Sequence, residues 1–130
     1  MAKKIDLSLS WALARRIHAK PKACWRNAYL ALAELPAALY VEGWCLTPGN
    51  YRVIEHGWIE TEFAIIEPTL YKRPPLEYFA GNIYTSGELK SELSNLAELP
   101  LIWQVNDPEK LEKYKLAKKE ALERSGLAFL

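Results

Sequence analysis

The hydrophobic pattern of this chain switches from a helical period to a strand-like one near residue 38, and that switch limits the folds open to it. From Leu7 to about Leu35 the apolar residues recur at helical spacing. Trp11, Leu13, Ala14 and Ile17 mark a first segment, and an Ala/Leu-rich run begins at Lys22 or Ala23. Pro21 lies between the two and suits the opening of the second helix. From Ala38 to Pro68 the runs Tyr40-Val41-Glu42-Gly43-Trp44-Cys45, Arg52 to Ile59 and Phe63-Ala64-Ile65-Ile66 read as strands. Thr47-Pro48-Gly49-Asn50 turns the chain between the first two.

Further on, Lys72-Arg73-Pro74-Pro75 leads into Tyr78-Phe79-Ala80-Gly81-Asn82, expected as an ordered loop. Thr85-Ser86-Gly87-Glu88 has the form of a capping box, and Leu89, Leu93 and Leu96 extend a helix to about Ala97. Leu99 to Val105 reads as one more strand. Asp107-Pro108 then opens a last helix that ends near Gly126. There is no internal repeat, low-complexity tract or Gly/Ser linker in the 130 residues, so a single domain over 1–130 is expected. The fold class is α+β, with N-terminal helices packed on a small antiparallel β-sheet and C-terminal helices after it.

Seventeen Lys and Arg against sixteen Asp and Glu give a net charge of +1, so no field of one sign recruits a polyanion or an anionic membrane. An N-terminal nucleic-acid surface is an alternative, because Lys3, Lys4, Arg15, Arg16, Lys20, Lys22 and Arg26 face only Asp6 over that stretch. A solvated helix face explains the same residues, and no aromatic-rich basic motif accompanies them. Arg15 and Arg16 interrupt the apolar stretch behind the lysine-bearing start, and no apolar run reaches the roughly 20 residues of a membrane span. Two cysteines are too few for a disulfide scaffold, which points to a reducing, cytoplasmic setting. Cys24, Cys45 and His56 lack the spacing of a metal site, and no cofactor is expected.

Thiol chemistry needs a thiolate, a base beside it and a group that orients the base. Cys24 falls in the first turn of the second helix, where unpaired N–H groups and the helix dipole favour negative charge, and Lys20, Lys22 and Arg26 add positive charge. His56 lies within one strand and Glu67 ends the next. A hairpin with a two-residue turn at Thr61-Glu62 would set them directly opposite on one face, their Cβ atoms about 4.5–5.5 Å apart. Glu67 would then fix the tautomer of His56. Glu60 and Glu62 replace it if the register differs. Each residue also has a structural reading: Cys24 as a small core hydrophobe, His56 as a hydrogen-bonded strand residue, Glu67 as a solvated strand end.

The order Cys24-Trp25-Arg26-Asn27-Ala28, Tyr40-Val41-Glu42-Gly43-Trp44, His56-Gly57-Trp58-Ile59-Glu60 and Ile66-Glu67-Pro68-Thr69 resembles the transglutaminase-like branch of the papain-like cysteine peptidase superfamily. That branch has a helix-borne Cys, a Gly-containing strand, a His-Ala-Trp strand and an Asp-Pro-Thr strand end. The resemblance covers 21–69, and the segment from Leu76 to Thr85 is faintly similar to small bacterial and phage members. It implies a papain-like core with Cys24 as nucleophile, His56 as general base and then acid, and Glu67 as the orienting carboxylate. Glu67 stands where the family has Asp, and Gly57 where it commonly has Ala. His18, six residues before the nucleophile, is a candidate oxyanion donor beside the Cys24 backbone N–H. Trp44 and Tyr40 are candidate cleft residues. Trp58, with Trp25, is expected to pack the helix on the sheet or shield the ion pair. Lys72 and Arg73 are candidates to read an acidic substrate group.

The activity implied is acyl transfer through a thiol, most simply hydrolysis of a peptide, isopeptide or other amide by a Cys-His-Glu triad. Amidase, deamidase and transglutaminase differ only in donor and acceptor. The partner would be a peptide or protein amide substrate. The alternative from another class is a catalytically silent papain-like fold that serves as a protein-binding module.

Overall fold

The computed structural model describes residues 3–128. Met1 and Ala2, part of the lysine-bearing start discussed above, lie outside the described residues. The elements run β1 (Lys4–Ile5), α1 (Leu7–Arg16), α2 (Cys24–Glu34), β2 (Leu39–Leu46), β3 (Val53–Glu60), β4 (Ala64–Ile66), β5 (Glu77–Thr85), α3 (Ser86–Ser94), a 3-10 turn (Leu101–Gln104) and α4 (Pro108–Ala128). The fold is α+β. The sheet has five strands in the order β1-β4-β3-β2-β5. It is mixed and not purely antiparallel as expected, because β1 pairs with β4 in parallel. Two residues of β1 are too few to show a period in sequence.

Strand alternation divides the sheet into two unlike faces. Tyr40, Glu42, Trp44, Gly57 and Ile59 point one way, and Val41, Cys45, Ile54, His56 and Trp58 the other. The helices take the first face. Leu13, Ala28, Ala31, Leu32, Leu89 and Leu101 pack there with Tyr40, Ile59, Ile66 and Tyr84. At the far end of the strands, Ala117 and Ala121 of α4 meet Leu46 and Phe79. On the second face Val41, Trp58 and Ile65 cluster with Ile5 and Tyr78. The loop after Glu67, with its buried Pro68 and Pro75, lies over that face.

Four sequence expectations are corrected. Pro21 does not open α2: Lys22 takes a left-handed conformation (φ 63°), so the helix starts two residues later, at Cys24. Tyr78 to Asn82 is not a loop but part of the nine-residue strand β5. Its alternation is broken where Gly43 pairs with Ala80 and Glu42 with Asn82, which leaves Gly81 as an extra residue in a bulge. A side chain at Gly81 would come within 2.8 Å of the Glu42 carbonyl oxygen, so glycine fits the bulge. Leu99 to Val105 is not a strand. The Glu42 carboxylate accepts the N–H groups of Leu101 (2.7 Å) and Ile102 (2.8 Å), which fixes a 3-10 turn over the helical face. Finally, α3 stops at Ser94, before Leu96 in a left-handed conformation. The capping box of Thr85 and Glu88 is present, and Asp107 accepts the N–H of Glu109 at the start of α4.

Candidate active site

The β3–β4 turn decides where the carboxylate arrives. Thr61 and Ala64 close the hairpin through the Thr61 N–H to the Ala64 carbonyl (2.9 Å), and the Thr61 hydroxyl accepts the N–H groups of Phe63 and Ala64. The turn therefore has two residues, but they are Glu62-Phe63 and not the expected Thr61-Glu62. Ile59 pairs with Ile66 and Glu60 with Ile65. Carrying that register one residue further sets Trp58 opposite Glu67, so Glu67 is diagonal to His56. A two-residue shift preserves the face. Diagonal neighbours are about 7–8 Å apart against about 4.5–5.5 Å for opposed ones, and the extra methylene of Glu over Asp helps to cover that distance.

Glu67 bonds His56 Nε2 at 2.7 Å through Oε1, and both side chains are buried. The same oxygen accepts the Tyr78 hydroxyl at 2.7 Å, while Oε2 accepts the N–H groups of Thr69 (3.0 Å) and Leu70 (2.9 Å). Burial alone would raise the carboxyl, but the charge of His56 and the bonds from His56, Leu70 and Tyr78 hold Glu67 below its ordinary range. Burial alone would likewise lower His56. The Glu67 charge and hydrogen bonds with Cys24 and Glu67 override it and push the imidazole up to about 10. With Nε2 on Glu67, Nδ1 is the imidazole nitrogen left for another partner. Trp58 stacks on the imidazole, centroids 6.1 Å apart and planes at 22°, and its indole N–H binds Glu60 at 2.9 Å.

Cys24 is the first residue of α2 and is partly exposed. The residue before it, Ala23, supplies no side-chain cap. Asn27 N–H to Ala23 carbonyl is the first intrahelical bond, so the N–H groups of Cys24, Trp25 and Arg26 have no intrahelical acceptor. Two contacts hold this helix start. The buried Asn27 amide accepts the Lys20 N–H (3.1 Å) and donates to the Lys20 carbonyl and to Thr69 Oγ1 (both 2.9 Å). It ties the approach to Cys24 to the segment carrying Glu67. Trp25 lies on Gly57, where a Cβ would come within 2.6 Å of its ring. The glycine beside His56 thus lets a tryptophan seat the helix on β3.

The remaining candidates lie elsewhere. His18 is exposed, left-handed at the end of α1, and its ring has no hydrogen-bond partner among the described residues. Trp44 is on the helical face, against Tyr114 of α4 (5.3 Å) and under the Lys118 ammonium (4.9 Å). Tyr40 is wholly buried and donates to Glu42 (2.6 Å). Glu60 binds Trp58 and Lys3, and Glu62 is in the turn. Cys45 is fully buried, and burial pushes its thiol well above the ordinary range. No cluster of His, Cys, Asp or Glu able to hold a metal occurs among the described residues, and no helix among them is long and apolar enough to cross a membrane.

Sequence reasoning missed Asn27, Tyr78 and Ser10, whose hydroxyl accepts the Glu67 N–H at 2.8 Å. Asn27 and Ser10 reach partners 42 and 57 residues away, and Tyr78 reaches Glu67 from a segment that the sequence does not mark as a strand. No protein-family model, curated protein or solved structure matches the chain.

Proposed function

We propose that the protein is a small papain-like, transglutaminase-like enzyme that transfers acyl groups through Cys24, most simply as a hydrolase of peptide, isopeptide or other amide bonds. The observation that carries the reading is the buried His56–Glu67 pair, bonded through Nε2 at 2.7 Å, with Cys24 at the start of α2 near enough to contribute to the raised imidazole. A charged histidine beside a sulfur at a helix start is the arrangement of a cysteine nucleophile with its acid–base partner.

In the reaction, the Cys24 sulfur attacks the amide carbon and forms a C–S bond. The resulting oxyanion rests on the free N–H groups at the start of α2, where no capping side chain competes. Collapse breaks the C–N bond as His56 gives its proton to the leaving amine. Water then attacks the thioester, His56 takes a proton from it, and breakage of the C–S bond restores the thiolate–imidazolium pair. An amine in place of water makes the same site a transferase. Glu67 stays ionised throughout and keeps Nδ1 aimed at sulfur. A peptide or protein amide is the proposed substrate, and a cytoplasmic setting is proposed because two cysteines are too few for a disulfide scaffold.

The test is acyl-enzyme capture. Incubation with an activated acyl ester is expected to leave a hydroxylamine-sensitive adduct on Cys24, found by peptide mass spectrometry and absent in Cys24→Ala. In His56→Ala its rate of formation is expected to fall by about 10²-fold or more. Acylation that is equal in all three proteins would overturn the reading and leave the silent binding module in its place.

A further inference from the structure

A cavity of about 370 Å³ opens on the second face of the sheet, beside the buried pair. Its walls include Ile54, two residues before His56 on the same side of β3, and Leu70, whose N–H binds Glu67. The other walls are the β2–β3 turn, with Thr47 and Asn50, and two arginines, Arg52 and Arg73. No Asp or Glu lines it. Neither guanidinium has a carboxylate partner among the described residues. Arg73 is seated against Gly49, whose left-handed backbone (φ 85°) suits the turn: its Nη2 is 2.8 Å from where a Cβ would stand. A side chain at position 49 would displace that guanidinium. Asn50 Oδ1 accepts the Thr47 hydroxyl, and the Asn50 amide nitrogen has no hydrogen-bond partner among the described residues. The cavity thus offers two positive forks and amide N–H groups, and no negative charge of its own.

We propose that this cavity is the specificity subsite of the Cys24 centre and binds a carboxylate of the acyl substrate, so that the enzyme prefers acidic peptides. The inference rests on the acyl-transfer reading. Planar guanidinium forks match a carboxylate in two parallel bonds; both arginines are exposed, so the pairing is screened by salt, and Ile54 and Leu70 supply a partly apolar wall beside them.

The experiment compares three thiol probes on the full chain: iodoacetamide, iodoacetyl-glutamine and iodoacetyl-glutamate, with labelling of Cys24 read by mass spectrometry. Iodoacetyl-glutamate is expected to react about tenfold faster than iodoacetyl-glutamine. The ratio should fall toward one in Arg52→Gln and Arg73→Gln. It should also fall in the unmutated protein as salt rises to about 1 M, where the screening length is about 3 Å. Cys45 remaining unlabelled reports that each variant is folded. Equal rates for the two tailed probes, with Cys24 still labelled selectively by iodoacetamide, overturn the subsite and leave the acyl-transfer reading standing. A preference that survives both arginine variants also overturns it, since the attraction then comes from elsewhere. Failure of iodoacetamide to select Cys24 overturns the acyl-transfer reading and the subsite with it.

Discussion

Glu67 reaches His56 along a diagonal of the β3–β4 hairpin, two residues out of register, and closes on Nε2 at 2.7 Å. The length of the side chain follows from that offset. Glu67→Asp is therefore expected to open the pair and to release the Thr69 and Leu70 N–H groups, slowing Cys24 alkylation about tenfold. Glu67→Gln keeps the length but leaves a buried imidazole without its counter-charge, and should cost about 3 kcal/mol in denaturant unfolding. An aspartate variant as reactive and as stable as the parent would refute the diagonal argument.

The linked charges set a pH window for stability. His56 is raised from 6.5 to about 10 in the fold, so its contribution is complete below about pH 6.5 and is lost as pH climbs toward 10. Glu67 is lowered from 4.5, so its contribution is complete above about pH 4.5 and is lost in more acidic solution. Thermal unfolding across pH should show both flanks for the parent. The alkaline flank should flatten in His56→Ala. An unchanged alkaline flank would mean that His56 does not carry the charge.

Asn27 joins the approach to Cys24 to Thr69 by three hydrogen bonds. Asn27→Ala should cost about 1–2 kcal/mol, since part-buried groups at Lys20 and Thr69 lose their partner. It should also slow Cys24 alkylation more than a stability-matched core variant such as Leu89→Ala does. Equal slowing in the two would reduce Asn27 to a purely structural residue.

Gly57 gives way to the Trp25 ring, with 2.6 Å between that ring and an added Cβ. Gly57→Ala should therefore destabilise by about 1–3 kcal/mol through overpacking, although alanine is the residue the resembling family commonly has there. Trp25→Phe in the same chain should recover part of the loss. Additive costs in the double variant would contradict a direct Trp25–Gly57 clash.

How much of this was legible in sequence depended on the range of the interaction. The helix that starts near Cys24, the three strands from Leu39 to Ile66 and the Thr85 capping box are local patterns and could be read. His56 and Glu67 were expected on one face, and the turn could move from Thr61-Glu62 to Glu62-Phe63 without disturbing that, because side-chain direction depends only on parity. The strand β5 was hidden by its Gly81 bulge, which resets the alternation midway. The run after Leu99 looked extended because its apolar residues carry no sign of Glu42, the distant carboxylate that winds them into a turn. Trp44, read as a cleft candidate, and Trp58, read as packing or shielding, lie on opposite faces by parity, which sends Trp44 to α4 and Trp58 onto His56.

The central claim is that Cys24, His56 and Glu67 work as one ionised unit, and the pH profile of iodoacetamide alkylation tests it most directly. A free cysteine is under about 1 % thiolate at pH 6. Cys24 is expected to label rapidly there, His56→Ala to slow it by roughly a hundredfold, and the buried Cys45 to stay unmodified in both proteins. Slow labelling of Cys24 at pH 6, rising only in alkaline solution and indifferent to His56→Ala, would contradict it.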